Sequence, residues 1–312
     1  MESFNSKVLL FGEYSALYHS MALVMPYDRF SGQLSFSKDH SQNKFAYRSN
    51  EFLKKFLAFM ANHVDENFVL EVKQFEWELE NGLFFQSNIP QGYGLGSSGA
   101  LVAAIFLRYL KKAKELKDEL KGITIEKAQK LKASLGRMES FFHGTSSGLD
   151  PLSIILNKPV LYTSTNDISI AAIPPKNDAG HQAIFLLNTG IKRETARLMS
   201  QFRNHCADET FKAKVQDELV NHTNESIQSF LKGDTSSFYN NLEQLVRFQM
   251  AEMDYLIPAP FQQSIKTGLE HGDYFLKICG AGGGGFMLGF TDDWAKTQEQ
   301  LSRFNPEIIY RY

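Results

Sequence analysis

YFLKICGAGGGGFMLGF, residues 274–290, limits the possible folds of this chain more than any other stretch. Five of the six residues from Gly280 to Gly285 are glycine, and apolar runs flank them. The flanks read as strands and the centre as a loop. A plain turn needs one or two glycines, and each extra one costs on the order of 0.5–1 kcal/mol in a regular element. The cluster can be a floppy hairpin. It fits better as backbone that a ligand or another loop approaches closely.

A second glycine stretch, GYGLGSSGALVAAIFLRYLKK (92–112), runs into a helical pattern. Leu101, Ile105 and Leu110 follow roughly helical spacing, and Lys111, Lys112 and Lys114 fall late, where the helix dipole favours cations. Ser97 or Ser98 is the expected N-cap. The loop has no Gly-Lys-Ser/Thr and lacks the G-x-G-x-x-G spacing, so it is neither a Walker A loop nor a dinucleotide fingerprint. It can be a tight turn or a phosphate cradle. In the second case, the outward N–H groups of the first helical turn and the dipole hold an anion. Glycines clear the approach, and the serine hydroxyls add hydrogen bonds or hold hydrated Mg2+.

Elsewhere KVLLF (7–11), FVLEVKQFEWELE (68–80), PVLYTS (159–164) and QAIFLLNTG (182–190) read as strands. ITIEKAQKLKASLGRMESFFHG (123–144) carries Ala128, Leu131, Leu135, Met138 and Phe142 at helical steps, and Gly144 can end that helix. His143 reads as packing at the helix end. IPPKNDAGH (173–181) is the best linker by composition, and Arg193 to Phe248 is mostly helical in pattern. Strands and helices without regular alternation imply an α+β fold.

With 312 residues the chain can form one large or two ordinary domains, and its net charge of −2 argues against a nucleic-acid partner. Two separated cysteines, Cys206 and Cys279, make neither a disulfide framework nor a zinc site, which suits a reducing cytosol. MESFNSKVLLFGEY lacks the character of a secretory signal. No apolar run nears the ~18 residues that would cross a bilayer, so a cytoplasmic protein without a membrane partner is expected.

Three blocks, KVLLFGEYSALYHSMAL (7–23), IPQGYGLGSSGA (89–100) and KICGAGGGGF (277–286), resemble in order and spacing those of the GHMP kinase superfamily. The second is similar to its P-x-x-x-G-L-G-S-S-A phosphate loop. ESFFHGTSSGLDP (139–151) and LLNTGIKRETARLM (186–199) resemble segments of the mevalonate kinase branch. The resemblance implies a two-domain α+β architecture, with an N-terminal ATP-binding domain (1–178) like ribosomal protein S5 domain 2. A ferredoxin-like C-terminal domain (179–312) would follow, with the active site between the two. It implies ATP and Mg2+ as cofactors, a small alcohol as substrate and a homodimer as the plausible assembly.

By residue, the resemblance assigns catalysis to Asp150, which accepts or orients the hydroxyl proton, and to Lys7, which pairs with it. On the residues alone, Asp150 could be a turn or cap aspartate and Lys7 a solvated lysine. The ATP loop would be Gly92, Gly94, Leu95, Gly96, Ser97, Ser98 and Gly99. Ser98 and Glu139 would hold the metal. Glu139 neighbours the apolar stripe of its helix, and a half-buried acid wants a partner. Glu13, Tyr14, Thr189, Arg193, Gly282 and Gly283 would face the substrate.

The sequence departs from the family pattern at four places. Asn5-Ser6 replaces Pro-Gly, Gly12-Glu13-Tyr14 replaces G-E-H, Ser146 replaces a proline, and Cys279 replaces a threonine. The expected reaction is ATP-dependent phosphorylation of the primary hydroxyl of mevalonate. A phosphomevalonate kinase, a diphosphomevalonate decarboxylase, a sugar kinase or a silent nucleotide-binding protein are the alternatives. Lys192, Arg193 and Arg197 leave room for a phosphorylated acceptor.

Overall fold

The computed structural model describes residues 1–37, 43–61, 67–163 and 167–312, with the side chains of Ala61 and His143 excepted. The expected packing role of His143, and Ser164 of the expected strand 159–164, lie outside the described residues. In chain order the elements are β1 (Ser3–Phe11), β2 (Ala22–Phe36), α1 (Lys44–Ala61), α2 (Val72–Glu80), β3 (Leu83–Ser87), α3 (Ser97–Tyr109), α4 (Ala113–Glu119), α5 (Ile125–His143) and α6 (Leu149–Leu156). There follow β4 (Val160–Tyr162), β5 (Ile168–Ile170), β6 (Ala183–Asn188), α7 (Thr195–His205), α8 (Glu209–Lys214), α9 (Val220–Lys232), α10 (Thr235–Glu252), α11 (Ala259–His271), β7 (Phe275–Ile278), β8 (Phe286–Thr291), α12 (Trp294–Gln300) and β9 (Glu307–Arg311). The chain divides into two compact units, residues 1–7, 25–90 and 95–158 in the first and 8–24, 91–94 and 159–312 in the second.

The first unit is built on α3. The run ALVAAIFL is buried at every position, so this helix is apolar all round and packs against both α5 and α6. Leu131 and Leu135 of α5 and Leu152 of α6 complete that core without exposed surface. The end of β2 pairs antiparallel with β3, Leu34 opposite Phe85.

Three sequence expectations are corrected in this unit. Residues 72–80 form a helix, not a strand, because Phe75 and Leu79 bury one face at a spacing of four together with Glu78. Only the FVLEV end alternates, and Leu70 makes an isolated bridge to Leu110. Helix α3 ends at Tyr109, so Lys111 and Lys112 lie beyond it and Lys114 belongs to α4. Its N-cap is Gly96 in the left-handed region with no side-chain cap, which places both serines inside the first turn.

In the second unit a four-stranded antiparallel sheet has the order β7-β8-β6-β9. Counted within this sheet the order is 4-1-3-2 read from the far edge, joined as βαββαβ with several helices in the first crossover, which is the ferredoxin-like arrangement. Register places Phe185 opposite Gly289 and Ile278 opposite Met287. Helices α10 and α11 pack on β7, and α9 packs on α10. The same unit holds the start of β2, paired antiparallel with β4, and β4 paired with β5. The linker 173–181 has no helix or strand, and 195–252 is largely helical, with a π-helical turn at Val215–Leu219.

Candidate active site

In the first unit the approach of α3 to its neighbours gathers four polar side chains. Gly96 has φ 78°, and a Cβ there would lie 2.9 Å from Lys7 Cγ, so only glycine leaves room for that side chain. The Lys7 N–H donates to the Leu95 carbonyl at 3.0 Å, tying β1 to the loop. At Gly99 a Cβ would stand 3.0 Å from the Pro151 nitrogen and 3.2 Å from Asp150 Cβ. This close contact sets the first turn of α6, where Asp150 sits, against the first turn of α3. The first intrahelical bond of α3 runs from Ala100 N–H to Gly96 O, so the amides of Ser97, Ser98 and Gly99 precede the helix ladder.

Lys7 Nζ lies 2.7 Å from Asp150 Oδ1, the lysine side chain 7% exposed and the aspartate 35%. Glu139, on α5, is only 3% exposed, more deeply buried than its sequence position implies. Ser98 Oγ donates to its Oε1 at 3.0 Å and Ser146 Oγ to its Oε2 at 2.5 Å. Burial, then the charge of Asp150, pushes the Glu139 carboxyl up to about 7, while Ser146, Ser98 and Lys7 pull it back. Two acids against one lysine leave the cluster one negative charge in excess when all three are ionised. A carboxylate beside a hydroxyl suits Mg2+, which binds through one or two carboxylates plus phosphate oxygens and water. Among the described residues no group of three or more His, Cys, Asp or Glu side chains is arranged as a metal cage.

A second cluster lies in the second unit, around the glycine loop 280–285, whose five glycines all have positive φ. Lys277 Nζ donates to Glu13 Oε1 at 2.6 Å and to the Ile278 carbonyl at 2.8 Å, with the two side chains 0% and 2% exposed. The ammonium also stands 5.5 Å over the Phe11 ring. Burial raises the Glu13 carboxyl, against the pull of Lys277 and of the Gly280 N–H. Tyr14, at φ 62°, donates its hydroxyl to the Ala281 carbonyl at 2.7 Å, and burial pushes its phenol up. Arg193 NH1 donates to Cys279 O at 2.8 Å, and Thr189 Oγ1 to Gly285 O at 2.8 Å. Gly283 N–H and Gly285 N–H donate to the carbonyls of Leu256 and Ile191.

Residues 91–94, which lead into and begin the glycine stretch 92–112, also belong to this unit. A Cβ on Gly94 would fall 2.1 Å from the Arg193 guanidinium, and one on Gly280 would fall 2.8 Å from it, so Arg193 fills the space between the two glycine stretches. Tyr93 packs edge-on against Phe286, 5.4 Å between ring centres.

The structure thus brings Lys7, Ser98, Glu139 and Asp150 together, with Leu95, Gly96, Ser97 and Gly99 beside them. It gathers Glu13, Tyr14, Thr189 and Arg193 around the loop 280–285 that holds Gly282 and Gly283, with Gly92 and Gly94 in the same unit. Asp150 belongs to a helix and not to the loop before it. Sequence reasoning missed Ser146 and Lys277. A lysine inside the apolar run FLKI was the available signal for the second, since a charge in a buried strand needs a partner.

Residues 52–158 match the family model described as GHMP kinases N terminal domain. A search of curated protein sequences returned no match. Among solved structures, Streptococcus pneumoniae phosphomevalonate kinase in complex with phosphomevalonate and AMPPNP aligns over 99% of this chain and 98% of its own, at 16% identity and a TM-score of 0.60. Methanococcus jannaschii mevalonate kinase aligns over 98% and 96%, at 17% identity and 0.59. Lactococcus lactis galactokinase complexed with galactose aligns over 99% and 94%, at 14% identity and 0.61.

Residues 52–158 thus resemble the N-terminal domain of GHMP kinases, and the whole chain shares its fold with the three solved kinases. The likeness runs to kinases named for three different acceptors, at identities that speak for the fold alone.

Proposed function

We propose that this protein phosphorylates the primary hydroxyl of mevalonate with ATP. The observation that carries the reading is the Lys7–Asp150 contact of 2.7 Å beside the Ser98–Glu139 pair. Asp150 takes the proton of the attacking hydroxyl. Lys7 orients that carboxylate and offsets charge on the transferred phosphoryl group. Gly92, Gly94, Leu95, Gly96, Ser97, Ser98 and Gly99 wrap the ATP phosphates, with backbone N–H groups at the start of α3 as donors. Ser98 and Glu139 would hold Mg2+, which would supply neutralisation of charge on the ATP phosphates.

Glu13, Tyr14, Thr189, Arg193, Gly282 and Gly283 form the acceptor side. With the Glu13 carboxylate on Lys277 and the Tyr14 hydroxyl on Ala281, these two act by holding the second loop in shape. A division near residue 178 into ATP-binding and C-terminal halves belongs to the same proposal. So do a cytoplasmic setting, with Cys206 and Cys279 buried and outside any disulfide, and a homodimer. No helix of the described residues is long and apolar enough to cross a membrane.

A phosphorylated acceptor is the second reading. It is favoured by Arg193 between the two glycine stretches, with Lys192 beside Gly92. ADP release with MgATP, measured with mevalonate and phosphomevalonate separately, decides between them. Turnover with mevalonate alone supports the first reading, turnover with phosphomevalonate alone the second, and turnover with neither removes both.

A further inference from the structure

We propose that Ser146 is a positioning residue that fixes the Glu139 carboxylate for divalent-cation binding. This rests on the reading of Glu139 and Ser98 as the metal-holding pair. Ser146 Oγ lies 2.5 Å from Glu139 Oε2 and 3.0 Å from the Gly148 amide nitrogen. An amide can only donate, so the hydroxyl presents a lone pair to Gly148 and its proton to Glu139. The rotor is thereby fixed.

The amide that fixes it is itself immobile. Gly148 has φ 73°, and a Cβ there would lie 2.0 Å from Lys132 O and 2.7 Å from the Gly136 nitrogen, so its backbone rests directly on α5. Lys132 and Gly136 stand on the turns just before Glu139. The relay from Gly148 through Ser146 to Glu139 thus starts and ends on one helix.

The terminal torsion of a glutamate is broad, and Glu139 has a second acid, Asp150, near it. Ser98 restrains one oxygen and Ser146 the other, which sets the plane of the carboxylate. A lysine in place of Ser146 would also orient it, but would cancel the charge a cation needs. A neutral hydroxyl orients the acid and leaves that charge in place. Groups that orient a metal ligand in this way carry roughly 10–100-fold in metal affinity.

Mn2+ binding to the enzyme–ADP complex, read by electron paramagnetic resonance, tests the assignment, with ADP affinity measured separately in EDTA. Ser146→Ala is expected to weaken Mn2+ binding by about tenfold or more, with metal-free ADP affinity unchanged and a melting temperature lowered by no more than the lost hydrogen bonds account for. Ser146→Thr keeps the hydroxyl and retains wild-type Mn2+ affinity. Ser146→Val has the shape of threonine without the hydroxyl and behaves as the alanine variant. Wild-type Mn2+ affinity in Ser146→Ala and Ser146→Val, with affinity lost in Glu139→Gln, overturns the role of Ser146. Wild-type affinity in Glu139→Gln overturns instead the reading of Glu139 on which it rests.

Discussion

Two lysine–carboxylate pairs, one in each unit, have almost the same length and opposite surroundings. Lys7–Asp150 is 2.7 Å and Lys277–Glu13 is 2.6 Å. The first leaves its aspartate 35% exposed and stands beside another acid. The second is sealed, with a carbonyl and an aromatic face completing the lysine. A sealed, balanced pair cannot pass a proton to a ligand without breaking the core. An open, charge-unbalanced pair can. The comparison therefore separates a chemical device from a structural one where the residue types alone do not.

The largest expected effect breaks the open pair. Asp150→Asn should lower kcat by about 10²–10⁴-fold, with the circular dichroism spectrum unchanged; full turnover would remove Asp150 as the proton acceptor. In the sealed pair the effect falls on stability. Lys277→Met leaves Glu13 buried without its partner and should cost about 3–5 kcal/mol in urea denaturation. Glu13→Leu combined with Lys277→Met should recover most of that, because two apolar side chains replace two charges.

A third test sets Glu139 against Glu78, both buried in the first unit. Burial raises the Glu78 carboxyl too, but Arg108, Tyr109 and Gln74 outweigh it and hold the group below its usual range. Glu139 has hydroxyl partners and is raised from 4.5 to about 7. A raised folded-state value means the native protein binds more protons between pH 4.5 and 7, so stability is lost as pH rises through that window. Glu139→Gln should then stabilise the metal-free protein by about 3 kcal/mol at pH 8 and very little at pH 4. For Glu78 the sign reverses. Its contribution is present above the unfolded value and lost as pH falls through the folded one, so Glu78→Gln should destabilise at pH 7. Denaturant titrations at the three pH values check both signs.

The smallest effect concerns the second loop. Tyr14→Phe removes the donor to Ala281 and should cost about 1 kcal/mol, with the acceptor KM rising and kcat nearly unchanged. Thermal denaturation and a KM measurement would detect it.

Much of this was legible in the chain. The run ALVAAIFL is apolar at every phase, so a buried helix was the only economical reading, and the glycine clusters announced loops that need left-handed backbone. What was not legible is tertiary. Ser97 and Ser98 are good N-caps by type, yet Gly96 takes that place because Lys7 occupies the space a Cβ would need. Residues 68–80 mix a short alternation with a four-residue spacing, and packing decided for the helix. For Glu139, a place beside an apolar stripe implies only a need for a partner, and its metal role comes from the family resemblance. Its second oxygen is held from a loop by Ser146, which sequence reading treats only as a missing proline.

The sealed pair also carries a cost in time. Glu13 and Lys277 are 264 residues apart. At roughly 5–20 residues per second of synthesis, the acid waits roughly 13–53 s on the ribosome before its lysine is made. Until then Glu13, in the turn after β1, has no ammonium to neutralise it, and strand β6 lacks both of its sheet neighbours, β8 and β9. The second unit is therefore a late-closing one. For most of its own synthesis the nascent chain exposes an unfinished sheet, the period in which a holding chaperone has the most to offer.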